Sequence, residues 1–146
     1  MLGLIQRVSQ ASVVVDDQTI GHIGQGLLLL LGIQKNDSPE TGEKLLKKVL
    51  DYRVFSDADG KMNLSLRDIQ GELLIVSQFT LAADTQKGLR PSFSSAAHPQ
   101  VAQELYDGFI TAARREHPDK IATGRFGADM KVSLTNDGPV TFLLEM

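Results

Sequence analysis

Short apolar runs separated by turn-forming residues dominate the first third of the chain. The predicted strands cover Leu2 and Leu4, then 12–16, 19–23 and 27–33. The last of these is an unbroken apolar run, which is typical of a strand buried on both faces. Turn-forming residues at 16–18 and 24–26 lie between the runs. The pattern therefore predicts several strands that follow one another closely.

The spacing of apolar residues changes after position 38 and predicts helices. Ser38 suits an N-cap, and Pro39 suits the first helical position. Apolar residues recur at helical spacing at positions 45, 46, 49 and 50, and again at 101, 105 and 109. The two predicted helices run from 39 to about Tyr52 or Val54, and from Pro99 to about His117.

The second half of the chain supplies the remaining elements. Further strands are predicted at 72–81, 121–126, 130–135 and 140–144, with a long polar loop at 82–97 and a turn-forming break at 136–139. Consecutive strands favour antiparallel pairing, and the irregular order of strands and helices argues against a doubly wound sheet. We predict one α+β domain over 1–146, with a mainly antiparallel sheet core, barrel-like or sandwich, and two packed helices.

Composition narrows the class of protein. The chain has 146 residues, of which 42% are hydrophobic and 23% charged, as expected of one globular domain. The longest aliphatic run, 27–31, is far shorter than the ~20 residues that cross a bilayer, so no membrane association is expected. The N-terminal residues lack the pattern of a secretion signal. With no cysteine, disulfides and thiolate sites are excluded, and a cytoplasmic location is expected.

Charge argues against one kind of partner. The formal net charge is -3 and the pI is about 5.5. Binding of nucleic acid by charge alone needs an excess of Lys and Arg, so DNA is not an expected partner. A shaped pocket that recognises one end of an RNA remains compatible with this charge.

Familiar catalytic and cofactor patterns are missing from the sequence. The three histidines at 22, 98 and 117 are scattered, and Lys61 stands where an EF-hand-like Asp57–Gly60 loop needs a ligand. The glycines at 21, 24 and 26 lead into a strand rather than a helix, so they do not predict a phosphate loop. No GxSxG segment or triad is visible. We therefore expect no metal and no cofactor.

Two polar segments remain as candidate sites. Ser77-Gln78-Phe79-Thr80-Leu81 follows an apolar strand. It is either an ordinary strand end with Phe79 in the core, or a strand terminus that presents backbone N–H groups and hydroxyls to a substrate. Asn136-Asp137-Gly138-Pro139-Val140-Thr141 is either a hairpin turn or, through its nearly side-chain-free Gly-Pro pair, a steric gate.

Together these segments resemble the D-aminoacyl-tRNA deacylase family. The resemblance covers essentially the whole chain: Arg7 in the opening segment, SQFTL at 77–81, Gly127-Ala128-Asp129-Met130, and NDGPVT at 136–141. It implies hydrolysis of the ester between a D-amino acid and the 3′ end of tRNA, with glycine as a further substrate. It also implies a cytoplasmic homodimer whose site is shared across subunits.

The resemblance also implies residue roles. Ser77, Gln78, Phe79 and Thr80 would form the catalytic segment. Gly138 and Pro139 would be a cis pair from the partner subunit that forms the chiral gate, with Arg7 holding it. Phe126 and Met130 would pack against the terminal adenosine.

The chemistry leaves two mechanisms open. Backbone N–H groups around Phe79 and Thr80 can stabilise the oxyanion of a tetrahedral intermediate without a titratable residue. Thr80 as a nucleophile would need a base that the sequence does not supply. Attack by water, assisted by the tRNA terminal 2′-hydroxyl, is the preferred mechanism. Exclusion of L side chains by the Gly138-Pro139 backbone would give chiral selectivity.

Three other functions stay open at this point. One is a different hydrolase of aminoacyl or peptidyl esters, such as another RNA-end editing enzyme. A second is a non-catalytic module that binds an RNA end or a small ligand. A third is a structural oligomerisation domain, in which both candidate segments are ordinary strand ends and turns.

Overall fold

The structure is a computed structural model that describes residues 1–146. The elements are β1 (Leu2–Val15), β2 (Gln18–Ile23), β3 (Gly26–Gly32), α1 (Pro39–Asp51), β4 (Phe55–Ser56), β5 (Met62–Leu64), β6 (Glu72–Ser77), a 3₁₀ turn (Phe79–Ala82), α2 (Pro99–Glu116), β7 (Ile121–Thr123) and β8 (Lys131–Glu145). Neither helix has the length and apolar character that a membrane-spanning helix needs.

The long strand β1 organises the main sheet. On one edge, residues Leu2–Val8 of β1 pair antiparallel with β3 and residues Ala11–Val15 pair antiparallel with β2. On the other edge β1 pairs antiparallel with β8. β3 pairs parallel with β6, and β6 pairs parallel with β7. Each parallel pair needs a crossover, and α1 and α2 lie in these two connections. β4 and β5 form a separate two-stranded sheet.

The sheet curls until its two ends approach each other. β2 lies close to β7, and a Cβ on Gly21 would be only 2.7 Å from the carbonyl oxygen of Thr123. The result is a mixed, nearly closed, barrel-like sheet with two packed helices, which confirms the predicted α+β class.

The curl divides the buried apolar residues into two groups. Val8, Val13, Leu28 and Leu74 belong to a cluster inside the curled sheet. The larger cluster lies between the outer face of the sheet and the helices. Its members include the apolar positions that predicted the helices, namely Leu45, Leu46, Val49, Leu50 and Phe109. Helical periodicity thus identified the buried face of α1. In α2 it was only partly right, because Phe109 is buried, Leu105 is partly buried and Val101 is 45% exposed.

Local features explain where α1 begins. Ser38 accepts a hydrogen bond from the Thr41 amide, and the Thr41 hydroxyl accepts one from the Ser38 amide, which completes a capping box. Pro39 occupies the first turn, as predicted.

Three predicted boundaries are wrong. The strand predicted to end at 81 ends at Ser77, where the 3₁₀ turn takes over, and the strand predicted to end at 126 ends at Thr123. The predicted break at 136–139 does not reverse the chain, because β8 continues along β1 on both sides of it. Long-range pairing with β1 therefore overrides the local turn signal.

Candidate functional site

A cavity of about 440 Å³ opens at the carboxyl end of β6. We call it the strand-end pocket. Its lining comes from the ends of β3 and β6, the 3₁₀ turn, the start of α2 and the segment before β8. Among the sequence-predicted residues it brings together Ser77, Gln78, Phe79, Phe126 and Met130, and it is completed by Leu31, Ile33, Val76, Ala97, Pro99, Ala102, Gly127, Ala128, Asp129 and Val132.

The backbone turns sharply where β6 enters this pocket. The Gln78 amide donates to the Leu31 carbonyl at 2.8 Å, which holds the strand end against β3. The 3₁₀ turn then uses the Gln78 carbonyl to accept from Leu81 at 3.2 Å. The first N–H group that donates within this turn is that of Leu81, so the N–H groups of Phe79 and Thr80 have no acceptor in the turn, and no side chain accepts from them. Both amides are therefore available to an acceptor outside the chain.

Phe79 is on the surface rather than in the core. Its side chain is 61% exposed, and its ring lies 5.1 Å from that of Phe93 in the long loop. The interpretation of 77–81 as an ordinary strand end with Phe79 buried is therefore wrong.

Thr80 has one side-chain partner. Gln78 Nε2 donates to Thr80 Oγ1 at 2.5 Å. No histidine, lysine or carboxylate hydrogen-bonds that hydroxyl. The geometry thus offers no general base to activate Thr80, because an amide N–H is a donor and cannot accept the proton.

The opposite wall of the pocket is apolar and anchored by α2. The Phe126 ring lies 5.7 Å from the ring of Tyr106, whose hydroxyl donates to the Ile75 carbonyl at 3.2 Å. Burial raises the pKa of Tyr106 to about 12, so this phenol is neutral at physiological pH. Met130 Sδ accepts from the Arg125 amide at 3.4 Å. An aromatic ring and a thioether thus face the pocket from fixed positions.

Gly124 allows this placement of Met130. A Cβ at position 124 would lie 2.6 Å from Met130 Sδ, closer than two such atoms can approach. Gly124 supports the site but was not singled out by the sequence analysis, and Asp129 was named in the Gly127–Met130 segment without a role. Asp129 lines the pocket but is highly exposed and pairs with Lys131 at 2.7 Å.

Gly138 and Pro139 form a second, separate feature. The peptide bond between them is cis, as the resemblance implied. They lie in a wide bulge of β8, because Gln6 pairs with Thr141 whereas Val8 pairs with Asn136, which leaves four residues of β8 opposite Arg7. Both residues are exposed, and neither lines the strand-end pocket.

Two side chains hold the bulge in shape. Arg7 Nε donates to the Asp137 carbonyl at 2.7 Å, and its Nη1 donates to the Val54 carbonyl at 2.7 Å. Asn136 bridges the other end, where its Oδ1 accepts from the Val140 amide at 2.7 Å and its Nδ2 donates to Thr141 Oγ1 at 3.0 Å. Arg7 is therefore in direct contact with the segment that it was expected to hold.

Within one chain the predicted site residues fall into two groups. Ser77, Gln78 and Phe79 share the strand-end pocket with Phe126 and Met130, and Thr80 is tied to this group through Gln78. Arg7, Gly138 and Pro139 lie together in the bulge.

Comparison with known proteins identifies the family of this chain. Residues 4–145 match the family described as D-Tyr-tRNA(Tyr) deacylase. The chain therefore belongs to the D-Tyr-tRNA(Tyr) deacylase family and is an enzyme of the hydrolase class.

Individual relatives cover the whole chain. A D-aminoacyl-tRNA deacylase of Cellvibrio japonicus is 64% identical over 146 residues, covering 100% of this chain and 99% of the relative. One of Haemophilus influenzae is 62% identical over 146 residues, covering 100% of both. The solved structure of a protein described as c-Myc DNA Unwinding Element Binding Protein is 42% identical, has a TM-score of 0.96 and covers 100% of this chain and 99% of that one. A probable eukaryotic D-amino acid tRNA deacylase, 18% identical with a TM-score of 0.86 over 99% and 98% of the two chains, shares the fold.

Proposed function

We propose that this chain hydrolyses the ester bond of D-aminoacyl-tRNA and releases free tRNA and the D-amino acid. The observation that carries the proposal is the pair of unused N–H groups at Phe79 and Thr80, beside a pocket walled by Phe126 and Met130. The identity of 62–64% to proteins named D-aminoacyl-tRNA deacylase supports it. A cytoplasmic location follows from the proposed substrate.

The reaction needs charge stabilisation more than a nucleophilic side chain. Water adds to the ester carbonyl carbon, the bond to the ribose 3′-oxygen breaks, and a proton passes from water to that oxygen. The neighbouring 2′-hydroxyl of the substrate assists this transfer. The Phe79 and Thr80 amides donate to the oxyanion that forms in between. The absence of a base on Thr80 supports attack by water rather than by the Thr80 hydroxyl.

The terminal adenosine occupies the apolar wall. Unpaired bases are commonly gripped by stacking on aromatic side chains, and Phe126 supplies the ring while Met130 supplies a polarisable neighbour. Gln78 and Ser77 line the same pocket and orient the aminoacyl end. No cofactor or metal takes part in this proposal.

The chiral gate comes from a second copy of the chain. Gly138 and Pro139 are exposed and lie outside the strand-end pocket, so they are free to enter the pocket of another copy. Phe142 and Leu143 follow them on β8 with 37% and 58% exposure, and a homodimer interface would cover these apolar side chains. The Gly138 and Pro139 carbonyls would hold the substrate amino group, and an L side chain would collide with the backbone.

The same geometry leads us to expect glycyl-tRNA as a further substrate. Glycine has no side chain to collide with the Gly138-Pro139 backbone. Because the gate excludes L-amino acids and does not recognise a particular side chain, it should discriminate little among different D-amino acids.

The experiment that tests the proposal compares two esters. Purified protein is incubated with D-tyrosyl-tRNA and with L-tyrosyl-tRNA, and loss of each ester is followed. Rapid loss of the D ester with the L ester spared is expected. Equal loss of both would contradict the gate but keep the hydrolase, and loss of neither would contradict the activity.

A binding role without turnover is the second candidate. The observation in its favour is the TM-score of 0.96 to a structure whose description names binding to a DNA element. The net charge of -3 argues against DNA as the partner. Retention of charged tRNA on the protein without ester loss would favour the binding role.

A further inference from the structure

A second cavity, of about 450 Å³, lies against the strand-end pocket. We call it the arginine groove. It runs between one side of α2 and the end of β7 together with the segment that follows it. The residues that matter here are Gln103, Asp107 and Arg114 of α2, and Thr123, Arg125 and Phe126 of the facing segment. Phe126 also lines the strand-end pocket, so the two cavities meet at this ring.

The two arginines of the groove are not neutralised. Arg114 forms no ion pair with any carboxylate of the chain. Arg125 Nη1 lies 3.8 Å from Asp16 Oδ2, but these side chains are 58% and 91% exposed, so the pair is weak. Asp107 is the one carboxylate among the lining residues. The groove is therefore locally positive in a chain whose net charge is -3.

The groove between α1 and α2 provides a comparison, because charged residues line it as well. There Arg67 lies 3.1 Å from Asp51 and Arg115 lies 3.3 Å from Glu116, both shorter than the 3.8 Å between Arg125 and Asp16, whereas Lys47 forms no ion pair. Both grooves are rich in charged residues. The arginine groove differs because Arg114 has no ion-pair partner and Arg125 has one only at 3.8 Å.

Polar groups other than the arginines are also unused in the arginine groove. The side chains of Gln103 and Thr123 make no hydrogen bond within the protein. The Tyr106 hydroxyl, by contrast, is occupied by the Ile75 carbonyl and forms part of the floor. Donors that face a groove and lack protein partners suit a ligand rich in acceptor oxygens.

We propose that the arginine groove binds the phosphodiester backbone of the unpaired nucleotides that precede the terminal adenosine of tRNA. This inference rests on the proposed function, because it takes the adenosine to lie at Phe126 and Met130. The RNA strand must leave the strand-end pocket past one of its walls, and Phe126 is the wall that the two cavities share. Guanidinium groups match phosphate oxygens in charge and in the geometry of their donors.

The test separates the nucleotides before the adenosine from the adenosine itself. Arg114→Gln and Arg125→Gln are compared with wild type on D-tyrosyl-tRNA and on the D-tyrosyl ester of adenosine, which has no phosphate. Arg115→Gln is the matched control, since it removes the same charge from the next residue of α2 but lines the helix–helix groove instead. Thermal unfolding of each variant checks that the fold is kept.

With tRNA, each groove variant should raise KM about tenfold, while Arg115→Gln leaves KM unchanged. The loss with tRNA should exceed the loss with the adenosine ester severalfold. The slope of log kcat/KM against log salt should fall by about 0.7 for each arginine removed. Asp107→Asn should act in the opposite direction and lower KM for tRNA, because it removes the one negative charge of the groove.

Two results would overturn the inference, and they distinguish failure of the arginine groove from failure of the proposed function. If wild type hydrolyses both esters and the groove variants behave like Arg115→Gln on tRNA, the arginine groove is not the path of the RNA. If wild type hydrolyses neither ester, the proposed function fails and the inference fails with it.

Discussion

At the residue scale, the proposed chemistry depends on two backbone N–H groups rather than on a titratable side chain. The Phe79 and Thr80 amides have no acceptor within the 3₁₀ turn or among the side chains, and no base hydrogen-bonds Thr80 Oγ1. The amide of Phe79 can be removed by proline, because Phe79 is the first residue of the 3₁₀ turn.

We expect Phe79→Pro to lower kcat about 10²- to 10³-fold relative to Phe79→Ala, since loss of one oxyanion donor costs about that much. Both variants lose the ring, and only the proline variant loses the N–H group. Thr80→Ala keeps its amide and should retain substantial activity. Single-turnover hydrolysis of D-tyrosyl-tRNA measures all three. Equal rates for the two Phe79 variants, or a loss in Thr80→Ala as large as in Phe79→Pro, would contradict the mechanism.

A buried ion pair makes a residue-scale prediction about stability. The α-ammonium group of Met1 lies 2.5 Å from Asp37 Oδ1, and the two groups are 1% and 6% exposed. Asp37→Asn should destabilise the protein by about 3 kcal/mol, because it leaves a buried ammonium without its countercharge. Urea unfolding measures the change.

The matched control is an exposed pair of similar length. Lys131 Nζ lies 2.7 Å from Asp129 Oδ2, with 71% and 87% exposure. Asp129→Asn should change stability by less than about 1 kcal/mol, since water screens this pair. Similar losses in the two variants would show that burial does not set the strength of the Met1 pair.

At the element scale, glycine positions show where a side chain can and cannot be added. Gly108 lies inside α2, and a Cβ there would meet no atom within 4 Å. Gly108→Ala should therefore stabilise the protein by about 1 kcal/mol through the higher helix propensity of alanine. The midpoint of urea unfolding should rise with no change in the slope.

At Gly138 in β8, unlike at Gly108, there is no space for an added side chain. A Cβ there would lie 2.6 Å from the Val140 amide nitrogen, so Gly138→Ala must displace the bulge that Arg7 and Asn136 hold. Destabilisation by Gly108→Ala, or tolerance of Gly138→Ala without any loss of activity, would contradict this account of the two elements.

At the scale of the whole molecule, we propose that the site is complete only when two copies of the chain meet. The strand-end pocket and the Gly138-Pro139 bulge do not touch within one chain. A homodimer with twofold symmetry would bring each bulge to the pocket of the other copy.

Subunit mixing tests this arrangement. Phe79→Pro and Gly138→Ala should each be inactive alone, and mixing equal amounts after unfolding and refolding should restore activity. If half of the molecules are mixed dimers with one intact site of two, about a quarter of the wild-type rate is expected. Sedimentation is used to check that dimers have formed in the mixture. No recovery in verified mixed dimers would show that both segments act within one chain.

The positions of several helices and strands could be predicted from the sequence. Helical periodicity with the Ser38-Pro39 start placed α1, and the apolar run at 27–33 placed β3, because these signals depend on neighbours in the chain. The motif segments at 77–81 and 136–141 also indicated the family that the comparisons show. Local spacing and residue type are sufficient for these features.

Only the tertiary structure decided the remainder. Pairing with β1 made a bulge of a segment that reads locally as a turn, and the curl of the sheet brought Phe126 and Met130 to the end of β6. The same packing left Phe79 at the surface and formed the arginine groove between α2 and the segment after β7. These outcomes depend on contacts between residues far apart in sequence, whose free energy no local pattern contains.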